Sequence, residues 1–228
     1  MAGSLAVLAA LAGCDGKLIH LGDGHDGSVC PHAQVNANEV LWIGDSWILM
    51  PGSQVTRVRD RARDAGAIGP SDDYVNAAAP ATTMSAIANQ YATREMGATK
   101  VKVLIMDGGT WDTIVASMSG ASISAAAMSA ATAFDQLLAR IASDGTVEDI
   151  IFFLTPELGG IPGVATLRPL VKQSCEGSTI RCHFLDLQPL WAGHSEYTAP
   201  GDTFASEMGA QVLADAIWGI MQDKCIAQ

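Results

Sequence analysis

Near-continuous apolar runs alternate along this chain with stretches of helical spacing, and that alternation limits the folds open to it. Segments 39–45, 73–78, 100–106, 148–154 and 178–185 read as strands, and Val103-Leu104-Ile105-Met106 and Ile150-Ile151-Phe152-Phe153-Leu154 contain no polar residue. A strand with one wet face alternates apolar and polar side chains. One that is apolar throughout is covered on both faces, as in a parallel sheet. Segments 53–65, 82–96, 122–143, 164–173 and 205–223 read as helices. Val55, Val58 and Ala62 share a face of the first, and Met84, Ile87 and Tyr91 recur at i, i+3 and i+7 in the second. The expected class is α/β: a three-layer, flavodoxin-like sandwich around a five-stranded parallel sheet, one domain over 39–228.

Composition narrows the function classes. Hydrophobic residues make up 49% of the 228 and charged residues 16%, which excludes a disordered chain. The net charge of −11 argues against a nucleic-acid partner, because phosphate binding needs a basic face.

The first 13 residues are apolar and rich in Ala and Leu, ending Leu11-Ala12-Gly13-Cys14. That ending resembles a bacterial lipobox, which implies a signal peptide over 1–13, lipidation of Cys14 and a tether over 14–38. The stretch is too short to cross a bilayer as a helix. The expectation is a bacterial cell-envelope protein, periplasmic or surface-exposed, held to the membrane only through the lipid on Cys14. The plainer alternative is an apolar tail with a chance cysteine. His20, His25 and His32 fall in the tether, but their spacing fits no metal-ligand template, so no metal is expected.

Setting Cys14 aside leaves an even number of cysteines. Cys175 and Cys182 flank a short turn containing Gly and Ser and are expected to pair. Cys30 and Cys225 would then tie the tether to the last helix, as an oxidising compartment permits. The alternative is buried free thiols.

The chemistry is expected where the first strand stops. Residues 40–47 read Val-Leu-Trp-Ile-Gly-Asp-Ser-Trp, an apolar run that breaks at Gly44-Asp45-Ser46. A serine just past a strand's carboxyl end sits where open α/β sheets place their sites. The bland reading is an ordinary turn with an Asx-type aspartate. This block, its place at the start of the domain and the tail at 196–199 and 209–218 together resemble the SGNH (GDSL-type) hydrolases, over about Glu39 to Met221.

The resemblance implies a serine esterase fold and assigns roles to matching positions. Ser46 matches the nucleophile and donates a backbone amide to the oxyanion, with Asp45 beside it. The second block supplies a glycine amide; here Pro80 holds that slot, and proline has no amide hydrogen. The third block is Gly-x-Asn-Asp. Gly109 and Asp112 match it, Trp111 stands at the asparagine, and Thr110 is an alternative small donor. The last block is Asp-x-x-His. Phe204 falls on the histidine and Gly201 on the aspartate, with Asp202 one residue off. Phenylalanine accepts no proton. His194 is a candidate substitute base, oriented by Glu196 or Asp202; the plainer alternative is a loop histidine bonded to backbone or water, and His183, inside a strand, reads as structural.

Beside the plainest reading, a structural surface lipoprotein with no ligand, two readings of function follow. One is an ester or O-acetyl hydrolase using Ser46 with a relocated base and impaired turnover. The other is an inactive pseudoenzyme whose cleft, lined by Trp47, Trp111 and Phe204, binds a carbohydrate or acyl ligand. Either way the expected partner is a small-molecule ester or carbohydrate, with no cofactor, and the protein is expected to be a monomer.

Overall fold

The computed structural model describes residues 35–50, 52–95, 99–201 and 203–226. The five strands are β1 (Val40–Ile43), β2 (Val75–Asn76), β3 (Val103–Met106), β4 (Asp149–Leu154) and β5 (Arg181–Asp186). All pair in parallel, in the order β2-β1-β3-β4-β5. The expected class and strand number are those observed. The three central strands are buried along their whole length, which is why their sequences alternate so little. The flanking strands are wetter, and β2 is only two residues long.

Eight helices connect and cover the sheet: α1 (Ser46–Leu49), α2 (Gln54–Asp64), α3 (Met84–Glu95), α4 (Thr110–Ser119), α5 (Ile123–Asp144), α6 (Val164–Glu176), α7 (Gln188–Trp191) and α8 (Glu207–Asp223). Two helix groups form. α2 packs on α8, and α5 packs on α3, α4 and α6. Right-handed crossovers require this split, because the chain moves one way from β1 to β2 and the other way from β2 onward. Arg57 forks onto Glu207 and Arg61 reaches Asp215 and Gln211, so α2 and α8 are also joined by charge-assisted bonds.

Three helices were not expected from sequence. α1 is a single turn that opens at Ser46. α4 begins in the Gly-rich stretch after β3; the left-handed Gly109 caps it, and Thr110, Thr113 and Ala116 turn inward at i, i+3 and i+6. α7 is a single turn. The last strand starts at Arg181 rather than 178, because residues 177–180 are the turn that the Cys175–Cys182 disulfide closes, with Cα atoms 5.2 Å apart. Cys225 is disulfide-bonded as well. Its expected partner Cys30 lies outside the described residues, as do Cys14, the 1–13 leader, His20, His25, His32 and Asp202. Among the described residues no helix is long and apolar enough to cross a membrane.

At the amino ends of β4 and β5, buried Asp149 accepts bonds from Arg181 (Nε 3.0 Å, Nη2 2.7 Å) and from His183 Nε2 (2.9 Å). His183 thus has a structural partner far from the strands' carboxyl ends.

Candidate active site

Strand order reverses between β1 and β3, and in open α/β sheets the crevice at such a point, outside the strands' carboxyl ends, is where ligands bind. The Gly44-Asp45-Ser46 turn leaves β1 there and the Asp107-to-Trp111 segment leaves β3 beside it.

The turn is tightly built. Gly44 has φ +146°, and a Cβ placed on it would lie 1.9 Å from Asp107 Oδ1. Only glycine avoids both the strain and the collision. The amide of Gly44 donates to Gln90 Oε1 (2.7 Å), and Gln90 Nε2 donates back to the Gly44 carbonyl (3.0 Å), so α3 clamps the turn with one side chain. Asp45 caps α1, its Oδ1 accepting from Trp47 N (3.2 Å). Its own amide donates to Asp107 Oδ1 (2.7 Å). Ser46 is therefore the first residue of a helix and half-exposed.

Ala81 donates to Ser46. Its amide points at Ser46 Oγ (3.2 Å), and its φ of +55° is a left-handed conformation that costs a non-glycine residue about 1–2 kcal/mol. Pro80, which has no amide hydrogen, precedes it, so the neighbouring amide is the one directed at Ser46. Nothing in the sequence marks an alanine as left-handed.

In the third block Thr110 is buried and its hydroxyl pairs with Thr155 Oγ1 (3.3 Å), so it faces the protein interior rather than the nucleophile. Trp111 is half-buried, and it is the main-chain amide of Trp111 that acts on the Asp45 carboxyl. Asp112 Oδ2 accepts from Met84 N (2.9 Å), capping α3; burial raises its pKa. Burial likewise pushes Asp45 up, against the bonds from Asp107 and the amides of Trp47, Ser46 and Trp111 that hold it down. Asp107 is driven well above the usual carboxyl range by burial and by Asp45.

The loop after β5 carries the remaining candidates. His194 Nδ1 lies 2.8 Å from Glu196 Oε1, and the ring stacks on Tyr197 at 4.4 Å and 6°. Tyr197 packs edge-on against Trp191, which packs edge-on against Trp47. This aromatic series ties the loop to the residue after the nucleophile. Gly209 lets α8 pass under it, since a Cβ there would lie 2.1 Å from the Tyr197 carbonyl. Phe204 is half-buried against the core, and its carbonyl accepts from Ala199 N in the hairpin closed by the Thr198–Ala205 bridge. Trp47, expected to line the cleft, is 2% exposed and belongs to the core. Among the described residues, Ser46 Oγ bonds to Ala81 and the His194 ring to Glu196, with no bond between the two. The described residues contain no cluster of histidine, cysteine or carboxylate side chains fit for a metal ion.

No protein-family profile matches the sequence, and no curated protein matches it. Solved structures do share the fold. An acetyl xylan esterase superposes with TM-score 0.63 over 78% of this chain and 97% of its own, at 11% identity. A catalytic mutant of an acetylxylan esterase from Geobacillus stearothermophilus gives 0.62 over 86% and 96%, at 14% identity. A family 3 carbohydrate esterase from Clostridium thermocellum gives 0.60 over 82% and 96%, at 15% identity. Likeness at this identity carries the fold, the α/β architecture that the sequence resemblance implied.

Proposed function

We propose that this chain hydrolyses small carboxyl esters, such as acetyl groups on a carbohydrate, through Ser46. The observation that carries the reading is Ser46 at a helix amino end with the amide of a left-handed Ala81 directed at its Oγ. An amide directed at a serine at a helix amino end suits an oxyanion hole, in which each donor is worth about 3 kcal/mol of transition-state stabilisation. The solved esterases of this fold support the same reading.

In this scheme His194 is the base. Glu196 holds Nδ1, which leaves Nε2 free to accept a proton, the arrangement a serine hydrolase needs. The Ser46 Oγ–H bond breaks as Oγ attacks the ester carbon and the proton passes to His194 Nε2. The oxyanion rests on the Ser46 and Ala81 amides. Collapse expels the alcohol, which takes that proton. Water, deprotonated by His194, then releases the acid and frees Ser46. Because the dyad stands apart from Ser46 in this structure, the loop must shift before each turnover and the reaction is slow.

The second reading is a cleft that binds such a ligand without turnover. What favours it is the His194 ring, engaged by Glu196 and Tyr197 rather than by Ser46. A fluorophosphonate probe, which needs an activated serine and no known substrate, separates the two. Hydrolysis predicts labelling of the wild type, loss in Ser46→Ala, and a rate lower by about 10²-fold or more in His194→Ala. Equal labelling of wild type and Ser46→Ala would overturn the role of Ser46, and no labelling of either would select the binding reading.

A further inference from the structure

Beneath the candidate nucleophile lie two carboxyl groups with no cation. Asp45 is 4% exposed and Asp107 2%, and among the described residues no lysine, arginine or histidine bonds either of them. Asp107 Oδ1 accepts the Asp45 amide at 2.7 Å, which brings the two buried acids together; burial pushes both pKa values up, that of Asp107 furthest, because Asp45 adds to it. Two carboxyls side by side in a buried site without a cation do not both ionise, so one keeps its proton. The remaining bonds decide who carries it. Asp45 accepts from the amides of Trp47, Ser46 and Trp111, which favour its ionised form. Asp107 Oδ1 is occupied by one amide, which leaves its second oxygen for the proton.

We infer that Asp107 is a positioning residue: neutral in the folded protein, it donates its carboxyl proton to Asp45 and thereby locks the Gly44-Asp45-Ser46 turn that aims the nucleophile. Geometry supports the role on three sides. Asp107 Oδ1 fills the space a Gly44 side chain would need. The Asp45 amide on Asp107 Oδ1 bridges the turn after β1 to the end of β3. Asp45, held by it, caps the helix that begins at Ser46. The other titratable group acting here is Asp112 on α4, whose pKa is raised by burial and by the charge on Asp45. From α3 come only the Gln90 amide on Gly44 and the apolar Met84 and Ile87 against Gly108. The Thr110–Thr155 hydroxyl pair sits beyond. No facing group neutralises Asp107 once it ionises.

The sign of the pH effect follows. A carboxyl whose folded pKa lies above its unfolded one contributes most at low pH. That contribution is lost as pH rises from the ordinary carboxyl range through the raised value. Asparagine reproduces the neutral acid, with an acceptor for the Asp45 amide and an N–H for the Asp45 carboxylate, and does not titrate.

The inference extends the proposed use of Ser46, but its test is separable from it. Melting temperature across pH should fall for the wild type through that window and stay level for Asp107→Asn, with the two most alike at the acid end. Asp107→Leu, which supplies neither bond, should be destabilised at every pH. An Asp107→Asn protein that fails to fold, or whose melting temperature follows the wild-type pH profile, overturns the inference. Probe labelling of Ser46 across the same pH range is the second readout: Asp107→Asn should retain labelling at high pH where the wild type loses it. Absence of labelling in every protein would sink the hydrolase reading alone, because the melting profiles still decide the shared proton.

Discussion

Gly44→Ala perturbs the site by one methyl group, and its cost can be worked from the structure. The new Cβ would lie 1.9 Å from Asp107 Oδ1, 2.8 Å from Ile48 Cδ1 and 3.0 Å from the Asp107 carbonyl oxygen, at a φ of +146°. Forcing a side chain into such backbone costs about 1–3 kcal/mol. Displacing Asp107 Oδ1 breaks its bond from the Asp45 amide inside the core, another ~1–3 kcal/mol. The crowding against Ile48 adds about 1 kcal/mol more, giving about 3–7 kcal/mol altogether. Gly120→Ala is the control, because Gly120 also has a positive φ (+71°) but nothing within 4 Å of its added Cβ. It should pay only the backbone cost, about 1–2 kcal/mol. For a domain of this size each kcal/mol moves the melting temperature by about 2–4 °C, so Gly44→Ala should melt roughly 5–15 °C below Gly120→Ala. Differential scanning calorimetry of the two purified variants reads this directly. Melting within about 2 °C of one another would show that the packing around Asp107 yields freely and that the turn is not rigid.

Two further perturbations test the scaffold. Replacing both Cys175 and Cys182 by alanine opens a loop of sequence separation 7, which on the chain-entropy account costs about 2–3 kcal/mol; unchanged urea midpoints would refute it. Asp149→Asn removes the carboxylate that Arg181 and His183 share. Burial alone would raise the pKa of Asp149, but the bonds from His183 and Arg181 win and lower it. Its contribution is therefore present above the ordinary carboxyl range and lost as pH falls through the lowered value. The variant should lose about 2–4 kcal/mol at neutral pH, and the gap to wild type should close in strong acid. A gap of the same size at both pH values in urea denaturation would contradict that assignment.

Much of this protein was legible in its sequence. The unbroken apolar character of Val103–Met106 and Asp149–Leu154 determined a parallel sheet covered on both faces, because only strands without a wet side can read that way. The break at Gly44-Asp45-Ser46 marked the candidate nucleophile, since a tight turn after a buried strand writes itself in adjacent residues. The cysteine spacing named the Cys175–Cys182 bridge. Such features are local, and their signals lie within a few positions of one another. What surrounds Ser46 is not local. Ala81 donates to it across 35 positions, and Asp107 holds Asp45 across 62. An alanine's left-handed backbone leaves no mark on its own identity. An aspartate ending an apolar strand does not say which carboxyl it will meet. The tertiary structure brought the ends of β1 and β3 side by side, shut water out between them, and so decided that two acids share a proton and that the amide of a left-handed alanine meets Ser46.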